Sequence, residues 1–140
     1  MTEGRFVTYV LGLLDTNKHT FTFANAGHLS PQRRNAAGEV VDLIADEQIG
    51  MPIGIIEGMD FDVVEYALEP GDTIAIVTDG VDEAMNSREE QFTKERYVQV
   101  LAEGPGRPVE AAKHLLGEVR KHADGFPQND DITIMMFGRT

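Results

Sequence analysis

No cysteine occurs among the 140 residues. That excludes disulfides, thiolate metal sites and catalysis through a cysteine nucleophile, and it fits a reducing compartment. Basic residues are scarce. Twelve Lys and Arg stand against 24 Asp and Glu, for a formal net charge of −12. Nucleic acid and anionic membrane surfaces call for the opposite sign, so neither is expected as a partner. Metal cations and basic protein surfaces remain. Long hydrophobic runs are missing too. The apolar stretch from Phe6 to Leu14 is too short to span a bilayer and contains Thr8 and Gly12. The start, Met1-Thr2-Glu3-Gly4-Arg5, lacks the basic-then-apolar pattern of a signal peptide. The chain therefore reads as soluble and cytoplasmic. Of the two serines, Ser30 and Ser87, neither sits in a nucleophile elbow. Gly50, Gly54 and Gly58 recur around Pro52 without the Gly-Lys-Ser/Thr ending of a phosphate loop. His114 and His122 lack a His-Glu-x-x-His pattern, which argues against zinc.

What is present suffices for a core: 41% of residues are hydrophobic, and the length suggests one domain over residues 1–140. Residues 6–14 are apolar on both alternations and predict a central strand. Asp15 to His19 is a break of hairpin length, and residues 20–26 alternate as the returning strand. A short strand is expected near Val40 to Leu43. Residues 61–68 predict a strand, Pro70 and Gly71 are placed for a type II turn, and residues 73–78 then complete a hairpin. Thr93 is placed to cap a helix over 94–102. Pro108 opens a second helix, 108–122, with Val109, Ala112, Leu115, Leu116 and Val119 as its apolar stripe. A last strand follows at 132–137. Strands, then two helices, then a strand point to an α+β fold.

The chemistry gathers around residues 71–80. The apolar run from Ile74 to Val77, β-branched apart from Ala75, suits a strand buried on both faces, and it ends abruptly in Thr78-Asp79-Gly80. A carboxylate at the mouth of a buried strand can hold a hard cation. The same residues also suit an ordinary solvated turn. A second carboxylate group, Asp130-Asp131, precedes the last strand. If the two strands are antiparallel neighbours, both groups meet at one sheet edge. Like charges so close repel unless a cation lies between them, and oxygen ligands suit Mg²⁺ or Mn²⁺. Asp82 and Glu83 read as an outer-shell ligand or as a helix start. Arg33 and Arg34 read as a solvated loop pair rather than as phosphate contacts.

Three motifs occur in order: Asn25-Ala26-Gly27-His28, then Gly71-Asp72 through Asp79-Gly80, then Asn129-Asp130-Asp131-Ile132-Thr133. With Gly50-Met51-Pro52-Ile53-Gly54-Ile55 they resemble the later motifs of the SpoIIE-type, protein phosphatase 2C-like metal-dependent Ser/Thr phosphatases, across about residues 5–138. Each motif is weak alone; the ordered set is specific. The resemblance implies an antiparallel β-sandwich flanked by helices (αββα). It implies a binuclear Mn²⁺ or Mg²⁺ centre whose bound water attacks phosphoserine or phosphothreonine. Asp79 and Asp130 are then the metal ligands. Gly80, Asp131, Asn25, Gly27 and His28 fall around them, His28 at the rim. The implied partner is a phosphorylated regulatory protein, such as an anti-sigma-factor antagonist. One departure stands out. The family's opening motif, whose Asp bridges the two metals, precedes the residues that Phe6 onward resembles and is not in this chain. The chain is therefore expected to be the C-terminal part of such a domain and weakly active or inactive alone. Its uncovered core surface is expected to be closed by self-association or strand exchange. A non-catalytic, partner-binding relative is the alternative. A haloacid-dehalogenase-type phosphatase is not, because its Asp-x-Asp is missing: Asp82 comes one position too late after Asp79.

Overall fold

A computed structural model describes residues 4–140. These residues form seven strands and three α-helices, besides a short 3₁₀ turn at Asp46–Gln48, in the order β1 (Tyr9–Asp15), β2 (Thr20–Ala26), β3 (Gln32–Arg34), β4 (Val40–Asp42), β5 (Val63–Ala67), β6 (Thr73–Val77), α1 (Asp79–Asp82), α2 (Lys94–Glu103), α3 (Pro108–Ala123) and β7 (Ile134–Gly138). The strands form two antiparallel sheets, ordered β1-β2-β5 and β4-β3-β6-β7.

The alternation seen in β2 decides the first layer. Phe21 and Phe23 point to one side of their sheet and are buried against Ile74, Ile76 and Phe137 of the other. Their rings stack at 5.0 Å between centroids, and Phe137 meets Phe21 edge-on. The opposite face of the second sheet carries Ala75 and Val77, which pack under Tyr97 and Leu101 of α2 and Leu115 and Val119 of α3. Each fully buried Leu or Val contributes roughly 1.5–3 kcal/mol of transfer free energy. Strand β6 thus lies between two cores, as its unbroken apolar run predicts.

Three expectations need correction. Residues 6–14 do not form a central strand. The strand begins at Tyr9 and is the edge of its sheet. Its apolar second face, with Leu11 61% and Leu13 71% exposed, is uncovered among the described residues. Second, β5 and β6 are not a hairpin. The turn between them is as expected: Asp72 N–H donates to Glu69 O at 3.0 Å, and Gly71 takes φ +88°. Yet β5 pairs with β2, whereas β6 pairs with β3 and β7. The turn is a corner that carries the chain from one sheet to the other. Buried Asp72 fixes it, accepting from Glu69 N–H at 2.9 Å and Tyr66 O–H at 3.2 Å. Third, Arg33 and Arg34 are not a solvated pair. Arg33 lies over the Tyr66 ring beside Asp72, and Arg34 donates to the carbonyls of Leu101, Ala102 and Gly104 at the end of α2.

Both long helices form where their caps place them. Pro108 is in the first turn of α3, although Ala111 replaces Val109 in the buried stripe and Val109 is 63% exposed. Thr93 caps α2 by accepting from Arg96 N–H, but at φ +76° it is a β-branched residue in a region that favours glycine. The two effects separate by substitution. Thr93→Ala loses the cap and keeps the strain, a loss of about 1 kcal/mol. Thr93→Gly loses only a few tenths for the cap and relieves roughly 1–3 kcal/mol of strain, so it should stabilise. Urea midpoints at unchanged slope measure both.

Candidate metal centre

The antiparallel register between β6 and β7 sets Val77 opposite Ile134. It follows that the residues after β6 lie beside those before β7. Three hydrogen bonds extend the pairing past the strand ends. Thr78 N–H donates to Thr133 O at 3.1 Å, Thr78 Oγ1 donates to Asp131 O at 3.2 Å, and Thr133 N–H donates to Thr78 Oγ1 at 2.9 Å. Thr78 is the residue the sequence reading passed over. Its signal was a hydroxyl at the mouth of the strand, facing a second threonine across the sheet.

Gly80 completes the approach. A Cβ built on it would lie 2.2 Å from the backbone oxygen of Asp131, so no larger residue fits without displacement. Asp79 and Asp130 are therefore each one residue from a pair in direct contact. Asp130 is held locally, its Oδ1 accepting from Asp131 N–H at 2.8 Å, and Gln128 Nε2 donates to its carbonyl at 2.7 Å. Both aspartates are exposed. Asp131 touches this edge through its backbone, against Thr78 and Gly80.

The electrostatics report the crowding. The Glu83 carboxyl is raised above its ordinary range, first by burial and then by the charges of Asp79, Asp82 and Asp130. The Asp82 carboxyl is raised as well, mainly by burial and next by Asp79. Its Oδ1 is buried with no hydrogen-bond partner among the described residues. Asp82 thus binds its proton more tightly in the folded chain than in the unfolded one. Its cost to folding is absent below the ordinary value of 3.8 and grows as pH rises from there. In metal-free buffer, Asp82→Asn should raise the melting temperature at pH 7 and leave it nearly unchanged at pH 3.

The remaining sequence candidates share one turn. Asn25, Gly27 and His28 form the turn that ends β2. Buried Asn25 accepts from His28 N–H at 2.8 Å through Oδ1, and His28 Nδ1 lies 3.0 Å from Leu29 O. Gly27, at φ +69°, presses against Pro52, and Gly50 N–H donates to Asn25 O. The motif thus locks to the middle loop through Gly50 and Pro52. No hydrogen bond or ion pair among the described residues joins His28 to Asp79 or Asp130.

Among the described residues, no group of three or more His, Cys, Asp or Glu is arranged to enclose a metal. The carboxylate donors still fit a hard cation. Mg²⁺ in particular is usually held by one or two carboxylates, with waters and substrate phosphate completing its shell. Asp82, raised first by its burial and then by the charge of Asp79, adds a third carboxyl close to this edge.

The family model described as Stage II sporulation protein E (SpoIIE) matches residues 1–140. Phosphoserine phosphatase RsbU of Bacillus subtilis is 29% identical over 140 residues, covering 96% of this chain and 39% of RsbU. The SiaA-PP2C domain of Pseudomonas aeruginosa superposes with a TM-score of 0.76 at 26% identity, covering 94% of this chain and 51% of that one. The Mn-presoaked phosphatase domain of SpoIIE from Bacillus subtilis shares the fold, with a TM-score of 0.72 at 24% identity and coverage of 94% and 56%. The chain spans 20% to 39% of the length of the curated relatives it matches. The α+β architecture with two antiparallel sheets is that of these phosphatase domains. No helix among the described residues is long and apolar enough to cross a membrane.

Proposed function

Because this chain belongs to the SpoIIE family, we propose that it is the C-terminal part of a cytoplasmic, metal-dependent protein phosphatase domain. Its substrate is phosphoserine or phosphothreonine on a regulatory protein of bacterial signalling, such as an anti-sigma-factor antagonist. The observation that carries this reading is the contact of Gly80 with the Asp131 carbonyl, which brings Asp79 and Asp130 to one sheet edge.

Asp79 and Asp130 would hold Mn²⁺ or Mg²⁺, with Asp131 behind them and Asn25, Gly27 and His28 at the rim. A divalent cation bound there would lower the pKa of a water and neutralise charge on the phosphoryl group. The chain's own residues set the geometry. Thr78 ties the two strand ends together, and Gly80 lets them close. The Asp131 N–H occupies one oxygen of Asp130 and leaves the other without a hydrogen bond among the described residues. The net charge of −12 opposes a phosphorylated partner unless the local acidity is neutralised, so binding should require the cation.

The apolar outer face of the first sheet favours a second reading, a phosphatase-like module that works by binding a partner or a second copy of itself. Four side chains, Tyr9, Leu11, Leu13 and Val63, are 48% to 71% exposed there. Calorimetric titration with Mn²⁺, followed by a phosphopeptide hydrolysis assay, separates the two. Mn²⁺ uptake with even slow release of phosphate is expected. Absence of both at millimolar Mn²⁺ would select the binding module.

A further inference from the structure

We propose that a cavity beside the carboxylate pair receives an apolar side chain of the substrate, a few residues from its phosphoserine. The inference rests on the phosphatase reading and adds the sequence preference of the same site. The cavity, about 200 Å³, lies between α1, the C-terminal end of α3 and the segment that leads into β7. Ala84, Val119, Phe126 and Ile132 make its walls apolar. An apolar cavity of about 150 Å³ is large enough to take up benzene, so this one accommodates a single aliphatic or aromatic side chain.

Its position identifies the occupant. The lining includes Gly80 and Asn129, the direct chain neighbours of Asp79 and Asp130. Consecutive Cα atoms are about 3.8 Å apart, so a peptide with its phosphate at the carboxylates reaches the cavity within a few residues when it runs toward α3. Charge points the same way. Arg120 is the only charged side chain in the lining, and it forms no ion pair among the described residues. On so acidic a protein it marks the side from which an anionic peptide can approach. The walls are also preformed. Val119 is 1% exposed, and the turn after α3 is closed by Phe126 N–H donating to Ala123 O at 2.9 Å. Walls already in place spare the ordering cost of binding.

The test uses fluorescence anisotropy with the 140-residue chain, Mn²⁺ and labelled phosphoserine peptides. Leucine replaces glycine one position at a time within about three residues of the phosphoserine. One register should bind at least about tenfold more tightly than the all-glycine peptide, the usual discrimination of an apolar pocket. Ala123→Leu, on the half-buried rim, should abolish that preference and leave binding of the all-glycine peptide unchanged. Equal binding of all phosphopeptides would overturn the pocket and leave the phosphatase reading intact. A preference that survives Ala123→Leu would place specificity elsewhere and also overturn it. If no phosphopeptide binds above its unphosphorylated form, the phosphatase reading fails and the pocket goes with it.

Discussion

Asp79→Asn should weaken Mn²⁺ binding by at least about 100-fold and reduce phosphopeptide turnover in parallel, while thermal stability stays the same or rises. Changes to groups that merely support metal ligands typically cost 10–100-fold in affinity, so removing a charged ligand should cost no less. Asparagine keeps the shape and loses the charge. Stability should not suffer. The Asp79 side chain is exposed and accepts no hydrogen bond among the described residues, and its carbonyl still receives Glu83 N–H. Removing its charge also relieves Asp82 and Glu83, both of which it pushes toward protonation. The opposite directions matter: a purely structural aspartate would lose stability and metal affinity together. Calorimetry and thermal melts on one preparation decide it, and a large fall in melting temperature would reject the ligand role.

Gly80→Ala should be nearly as damaging by a different route. Alanine within a helix ordinarily gains up to about 1 kcal/mol over glycine. Here its Cβ would meet the Asp131 oxygen at 2.2 Å, and the obstacle is backbone, not a side chain that can rotate away. Overpacking of that kind costs about 1–3 kcal/mol, which outweighs the propensity gain. The larger effect falls on the site. Relief of the clash must move α1 away from the entry to β7, which separates Asp79 from Asp130. A misplacement of about 1 Å can cost about 100-fold in rate. Reduced Mn²⁺ affinity together with a lower melting temperature is expected. Wild-type affinity in the variant would show that the closeness of these two segments is irrelevant to the metal.

Much of this edge is legible in the sequence. Asp79 and the Asp130-Asp131 pair stand at the mouths of two apolar strands, and those strands, β6 and β7, are antiparallel neighbours, as a shared edge requires. The Pro70-Gly71 turn, the Thr93 cap and the Pro108 helix start lie where the chain's own chemistry puts them. Each depends on residues within a few positions: a fixed φ at proline, a left-handed φ at glycine, an oxygen three residues from an unpaired N–H. The candidate carboxylates are legible from their places at the two strand mouths and from the motif order, whereas the tie made by Thr78 and the cavity at Arg120 are not. Those features exist only through contacts across more than 30 positions of chain, such as Thr78 with Asp131.

Sequence alone thus determined the local elements and the acidic residues at two strand mouths, because near neighbours decide backbone conformation and burial pattern. Tertiary structure decided the pairing. The Glu69–Asp72 turn suits a hairpin as well as a corner, and only the demand to bury Phe21, Phe23 and Ile74 between two sheets chose the corner. The same packing left β1 at an edge and turned Arg33 and Arg34 into fastenings. It also pressed Gly80 onto Asp131, the contact that gives two distant aspartates a common site.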